Sequence, residues 1–196
     1  MAHELILGGQ KSGKSRCAEQ RATEWLAPLD RPGREALLIA TARAGDAEMT
    51  ARIQRHRQDR AAAGLHLDTL EEPMDLAEAL RRHSATHRLI VVDCLTLWLT
   101  NWLMPVDATD QPGTQAWTRQ RNALLDALPG LPGPVVLVGN EIGLGLSPLG
   151  AEVRHFVDEL GRLHQDLARL CDHVTLMVAG LELPIRRHQR RDQDRS

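Results

Sequence analysis

The chain has 196 residues, 42% apolar and 26% charged, with a formal net charge of −2, the profile of one soluble globular domain with a sizeable core. A near-neutral balance, one Phe, no Tyr and four Trp leave neither a broad polyanion-binding face nor stacking platforms, so no nucleic-acid partner is expected. Cys17, Cys94 and Cys171 match no disulfide or zinc pattern, and no cationic leader or apolar run of about 18 residues occurs; a reduced, cytoplasmic protein without a membrane span is expected.

Taken in chain order, "ELILG" at 4–8 predicts a buried strand, followed by a helix from Ser15 to about Leu26 that stops before "APLDRPG". "EALLIATA" at 35–42 predicts a second buried strand, and "DAEMTARIQRHRQDR" at 46–60 a helix with Asp46 as its cap. A helix is expected over 74–83 and a strand over 88–96, "RLIVVDCLT", which carries an acid. A polar loop over 105–113 precedes a helix over 114–128. "GPVVLVGNEIG" at 133–143 reads as a strand running into a glycine-rich loop, then a long amphipathic helix occupies 152–171 and a last strand 173–183. The apolar stretch "LTLWLTNWLM", with Trp98, Trp102 and Leu103, reads either as an exposed interface or as core. This alternation predicts an α/β fold, a mostly parallel central sheet with helices on both faces. Residues 1–185 form one catalytic domain in this reading and 186–196 a polar, mobile tail.

Between the first strand and helix stands Gly8-Gly9-Gln10-Lys11-Ser12-Gly13-Lys14-Ser15. This is G-x-x-x-x-G-K-[ST] in its proper strand–loop–helix context, and it predicts a P-loop NTPase of RecA-like type. Glycines let the backbone wrap a phosphate so that N–H groups point inward, and the helix N-terminus adds its positive end. Lys14 is expected on the β- and γ-phosphates and the Ser15 hydroxyl on Mg²⁺. A second acid at the end of a neighbouring strand should complete the metal shell; Asp93 occupies such a place, or else it caps the next helix. Cys94 reads as a small core residue.

In "EMTARIQRHRQDR", Glu48, Arg52, His56 and Arg60 recur every four residues as a polar stripe beside the apolar Met49 and Ile53. His56 thus lies at the border of the stripe, among Arg52, Arg55 and Arg57, cations suited to a triphosphate. A neutral imidazole there is either a nucleophile toward phosphorus or an ordinary surface residue.

"LILGGQKSGKSRCAEQ", "LIATA", "DAEMTARIQRHRQDR", "LEEP", "VVDCLTLWLTNWL", "VGNEIGLGLSP" and "RHFVDELGRLHQDLA" occur in this order. Together they resemble the bifunctional adenosylcobinamide kinase/adenosylcobinamide-phosphate guanylyltransferase family of cobalamin biosynthesis, from Leu5 to about Leu183. The resemblance implies phosphorylation of adenosylcobinamide by ATP or GTP. GMP then passes from GTP to adenosylcobinamide phosphate through a GMP-histidine intermediate, for which His56 in "RIQRH" is the matching position. It implies nucleotide contacts at Gly8 through Ser15, at Ile39, Ala40 and Thr41, at His56, Arg57, Gln58 and Asp59, and at Glu71 and Asp93. It also implies a homotrimer. Glu71 can accept from the N1–H and N2–H₂ of guanine or start the following helix, with Glu72 as its substitute. Asn140 and Glu141 either contact a substrate or shape the glycine turn. The chain departs from the family at His164, where members often carry Asn, and in "LHLDTLEEP", which lacks a tryptophan common there. A single-activity P-loop kinase for a small metabolite and a RecA-type nucleotide-dependent switch are the alternatives.

Overall fold

The computed structural model describes residues 2–28, 32–43, 67–105, 113–146 and 148–187, with no side-chain detail at 113 and 114. In chain order the elements are β1 (Glu4–Gly8), α1 (Lys14–Leu26), β2 (Glu35–Ala40), β3 (Asp68–Glu71), α2 (Leu76–His83), β4 (Arg88–Asp93), α3 (Leu95–Leu103) and α4 (Gly113–Ala127). A short 3₁₀ turn (Leu128–Gly130), β5 (Val135–Asn140), α5 (Ala151–Leu170), β6 (His173–Val178) and β7 (Leu181–Arg186) complete the series. The strands form one sheet in the order β3-β2-β4-β5-β1-β6-β7. All pairings are parallel except β6 with β7. This is the expected α/β architecture.

The continuous Val/Ile/Leu runs arise because the central strands are covered on both faces, and successive residues point to opposite sides. Leu5, Leu37, Ile39, Ile90, Val92 and Leu137 pack with α2, α3, α4 and α5. Their neighbours Ile6, Leu38, Val91, Val136 and Val138 pack with Cys17, Ala18 and Ala22 of α1. At the centre of the four-helix side, Trp98 and Trp117 meet edge to face with centroids 5.1 Å apart. Trp98 Nε1 donates to the Met74 carbonyl at 2.9 Å and Trp117 Nε1 to Glu159 Oε2 at 2.7 Å, so neither buried indole N–H is left unmade. Opposite, Arg21 of α1 ties Glu4 of β1 to Glu182 of β7, while Thr175 donates to Glu4 Oε1 at 2.7 Å.

Three expectations change. The strand expected through Thr96 ends at Asp93, and Leu95–Leu103 is a helix in which Leu95, Trp98, Leu99 and Trp102 are buried while Leu97 and Leu103 are half-buried. Most of "LTLWLTNWLM" is therefore core within the chain, with Met104 exposed at its end. The single last strand is a hairpin, turned at Ala179 (φ 52) and Gly180 (φ 81), the pair of positive φ values a tight two-residue hairpin requires. The polar strand β3 was absent from the sequence reading. The helix expected over 46–60 lies outside the described residues, as does most of the 105–113 loop. The tail expected from 186 begins inside β7, where Arg186 donates to the Cys171 carbonyl at 3.4 Å; residues 188–196 lie outside the described residues.

His164 of α5 is 5% exposed, with Nε2 unpaired among the described residues and lying against Gly139 of β5. Burial pushes this imidazole down to about 4. His3 is lowered in the same sense by burial, and its Nδ1 accepts the Val135 N–H at 3.3 Å, which requires the unprotonated ring. The folded chain therefore binds fewer protons than the unfolded chain between the ordinary histidine value and about 4. Stability from His164 is fully present above about pH 6.5 and is lost as the pH falls toward 4, a change on the order of 3 kcal/mol. Urea unfolding at pH 7, 5.5 and 4.5 should show this decline, flattened in His164→Asn. An unchanged slope in the variant would assign the decline to other groups.

Candidate functional site

The carboxyl ends of the parallel strands lie along one sheet edge, the side on which open α/β folds bind ligands. The register sets the spacing. Glu71, Ala40 and Asp93 stand in one row across β3, β2 and β4. Asp93 pairs with Val138 of β5, two residues before Asn140, which pairs with Gly8 of β1. One strand thus separates the phosphate-loop strand from the Asp93 strand, and the acid stands on the next-but-one strand, not the adjacent one. Two strand spacings put β4 about 10 Å from β1, and four put β3 about 19 Å away.

The loop after β1 has the geometry of an anion cradle. Lys11 (φ 57) and Gly13 (φ 103) take positive φ values, and Ser12 N–H bonds back to the Gly9 carbonyl at 3.2 Å. Such alternation turns successive N–H groups toward one hollow. A Cβ on Gly8 would lie 2.5 Å from the Met177 carbonyl oxygen and 2.6 Å from Ser12 Oγ, so only glycine lets the chain pass. No side chain caps α1 at Gly13, and the first turn holds no acid. The helix N-terminus therefore keeps its positive end for a ligand. Ser12 Oγ is buried without a hydrogen-bond partner among the described residues. The loop is braced from outside by the β6–β7 turn, where Gly180 N–H donates to the Ser12 carbonyl at 2.9 Å. Sequence reasoning missed that brace, because the turn is 168 positions away from Ser12 in "AGL".

Lys14 is buried, and its Nζ donates to the Gly9 carbonyl at 2.6 Å. Ser15, half-buried, follows in the first turn of α1. The Cys94 thiol is pushed up to about 11, chiefly by burial and then by the Asp93 charge, with Lys14 acting in the opposite sense. Cys94 is therefore a protonated core thiol. It also caps α3, its Sγ accepting from Leu97 N–H at 3.5 Å. Asp93 is therefore not the helix cap.

Ile39 is core. Thr41 is 0% exposed, and its hydroxyl donates to the Cys94 carbonyl at 2.7 Å while accepting the Cys94 N–H at 2.9 Å. Its own N–H goes to the Asp93 carbonyl and its carbonyl accepts from Asn101 Nδ2. All of its polar atoms are engaged, the N–H and hydroxyl at the β4 end and the carbonyl on α3, and Ala40 beside it is half-buried. Thr41→Val should lower stability by about 1–3 kcal/mol, the cost of unpaired buried groups, while leaving the nucleotide KM unchanged. A raised KM at unchanged urea midpoint would instead put the hydroxyl on the nucleotide.

Glu72 Oε1 accepts the N–H groups of Met74 and Asp75 at 2.9 and 2.8 Å. Glu72 thus holds the start of α2, and Glu71 stands exposed at the end of β3. Glu141 shapes the glycine turn, its Oε1 accepting Gly143 N–H at 2.7 Å. His56, Arg57, Gln58 and Asp59, like Arg52 and Arg55, lie outside the described residues. No cluster of three His, Cys, Asp or Glu able to hold a metal exists among the described residues. The hard oxygens of Ser15 and Asp93 suit a Mg²⁺ ion that takes most of its ligands from phosphate and water. No described helix is long and apolar enough to cross a membrane.

The fold is shared with a solved structure from Pyrococcus horikoshii OT3, at a TM-score of 0.55 and 7% identity over 95% of this chain and 86% of that one. The chain is 49% identical over 183 residues to the bifunctional adenosylcobalamin biosynthesis protein CobP of Pseudomonas aeruginosa, covering 93% of this chain and 96% of that protein. It is 34% and 35% identical to the bifunctional adenosylcobalamin biosynthesis proteins CobU of Escherichia coli K12 and Salmonella typhimurium LT2, covering 93% of this chain and 98% of each. The profile of the family described as cobinamide kinase / cobinamide phosphate guanyltransferase matches residues 4–185. A phosphate cradle on an α/β sheet edge, matched by that profile along nearly its whole length, makes this chain a member of the cobinamide kinase / cobinamide phosphate guanyltransferase family and an enzyme of that bifunctional class.

Proposed function

We propose that the two transfers run at one sheet edge, with the triphosphate in the Gly8–Ser15 loop, and that the corrinoid substrate is adenosylcobinamide, then its phosphate. The observation that carries this reading is the loop itself: positive φ values, an uncapped helix start and a buried lysine converge on one hollow. In the kinase step the substrate hydroxyl oxygen attacks the γ-phosphorus of ATP or GTP, the bond to the bridging oxygen breaks, and the hydroxyl proton is released. Lys14 and the loop N–H groups stabilise the charge that grows on the transferred group and the bridging oxygen. Ser15 and Asp93 would hold Mg²⁺, which supplies charge neutralisation across the phosphates when bound.

In the guanylyl step His56 attacks the α-phosphorus of GTP and pyrophosphate leaves. An oxygen of the substrate phosphate then forms its bond to that phosphorus as the P–N bond breaks, giving adenosylcobinamide-GDP. Glu71, exposed at the end of β3, would accept from guanine at the far end of the edge, and Arg57, Gln58 and Asp59 would adjoin the nucleotide. The protein works in the cytoplasm as a homotrimer in this reading, with residues 1–185 as its single catalytic domain. Mass spectrometry of the protein after GTP and Mg²⁺, without corrinoid, tests the proposal. A GMP adduct is expected, together with exchange of labelled pyrophosphate into GTP. Neither signal would leave a kinase alone.

A further inference from the structure

We infer that the loop joining β5 to α5, residues 142–146 and 148–149, is the platform on which the corrinoid macrocycle docks; this rests on the functional reading above. The loop leaves the sheet from β5, the strand lying between the phosphate-loop strand and the Asp93 strand. An acceptor approaching a triphosphate held between those two strands meets it first. Its ends are fixed. Glu141 N–H donates to the Gly8 carbonyl at 2.9 Å, the Glu141 carboxylate holds Gly143 N–H, and Arg154 Nη1 donates to the Pro148 carbonyl at 3.0 Å and to that of Leu149.

Yet this anchored loop presents its apolar side chains to water. Leu144 is 83% exposed, Leu146 99% and Leu149 97%, with Ile142 and Val153 exposed beside them. A contiguous apolar patch at a binding edge marks a contact surface. A shallow hollow of about 200 Å³ lies within it, lined by Ile142, Leu146, Pro148, Arg154, Val157 and Asp158. The leucines offer no donors or acceptors, so they do not suit a nucleotide base. They suit a flat macrocycle with a methyl-rich edge. An alkylated cobalt(III) corrin with neutral amide arms carries one net positive charge; Asp158 lines the hollow beside Arg154, whose guanidinium is engaged with the Pro148 and Leu149 carbonyls, and Glu141 and Glu152 flank the loop in sequence. The start of this loop is tied to the phosphate-loop strand by the Glu141 N–H on the Gly8 carbonyl, and in this proposal a corrinoid seated on the leucines extends its hydroxyl arm to the γ-phosphate.

The test is the triple variant Leu144→Ser/Leu146→Ser/Leu149→Ser, whose sites are exposed enough to leave folding intact. The KM for adenosylcobinamide in the kinase assay should rise about tenfold or more from lost apolar contact. Equilibrium dialysis read by corrin absorbance should show the same weakening. Pyrophosphate–GTP exchange without corrinoid, and the mass by light scattering, should not change. An unaltered corrinoid KM overturns the proposal. So does a fall in mass accompanied by loss of exchange, which would mean that a second copy covers the leucines. A wild-type chain that binds and exchanges GTP but is inert toward adenosylcobinamide would instead overturn the functional reading, and this proposal with it.

Discussion

Lys14→Met should lower phosphoryl transfer to the corrinoid by roughly 10²–10³-fold, the scale for losing one preorganised donor aimed at developing charge. Lys14 is buried, and its Nζ reaches the Gly9 carbonyl at 2.6 Å. Methionine keeps the length and most of the volume and removes the charge and that hydrogen bond. In the proposed site the phosphate-bound state then loses the group set against the β- and γ-oxygens. Transfer rate at saturating nucleotide measures the loss, and an unchanged urea midpoint shows that the variant is folded. A variant that transfers at the wild-type rate would remove Lys14 from the chemistry.

The parts legible in the sequence were those whose physics is local. A phosphate loop must compress its glycines, lysine and serine into eight residues, and strands buried on both faces must be apolar throughout, so β1, β2, β4 and β5 appeared as Val/Ile/Leu runs. β3, "DTLE", is largely exposed and polar; only its parallel pairing with Leu37–Ala40 makes it a strand. α3 is apolar around most of its circumference because helices on two sides and the sheet cover it, and such a run carries no period by which an exposed patch can be told from core. The role of Thr41 was hidden for another reason. Its hydroxyl closes on Cys94, 53 positions away, and no spacing rule reaches that far. Glu71 and Glu72 are indistinguishable in "LEEP" until the backbone shows which one turns back onto Met74 and Asp75. The brace of Gly180 on Ser12 is of the same kind. The cradle was readable, and its support was not.

His56→Ala should separate the two activities, retaining phosphorylation of adenosylcobinamide while losing guanylyl transfer by roughly three orders of magnitude or more, as removal of a covalent nucleophile does. Topology supports the assignment. The connection that carries residue 56 leaves the sheet at Ala40 and re-enters it at Asp68. Ala40 pairs with both Asp93 and Glu71, so that connection departs from the carboxyl edge between the acid proposed for the metal and the acid proposed for guanine. A nucleotide stretched along this edge has its α-phosphorus between its base and its terminal phosphates, on the stretch of edge from which the connection departs. The kinase step uses the γ-phosphorus at the loop and has no need of an imidazole, which is why it should survive. Protein-bound label from α-labelled GTP should be acid-labile and base-stable, as a phosphoramidate is, and absent from the variant; pyrophosphate exchange should vanish with it. If the variant retains both, the nucleophile is another group or transfer is direct. If it loses the kinase step as well, residue 56 serves nucleotide binding and the covalent step has to be assigned elsewhere.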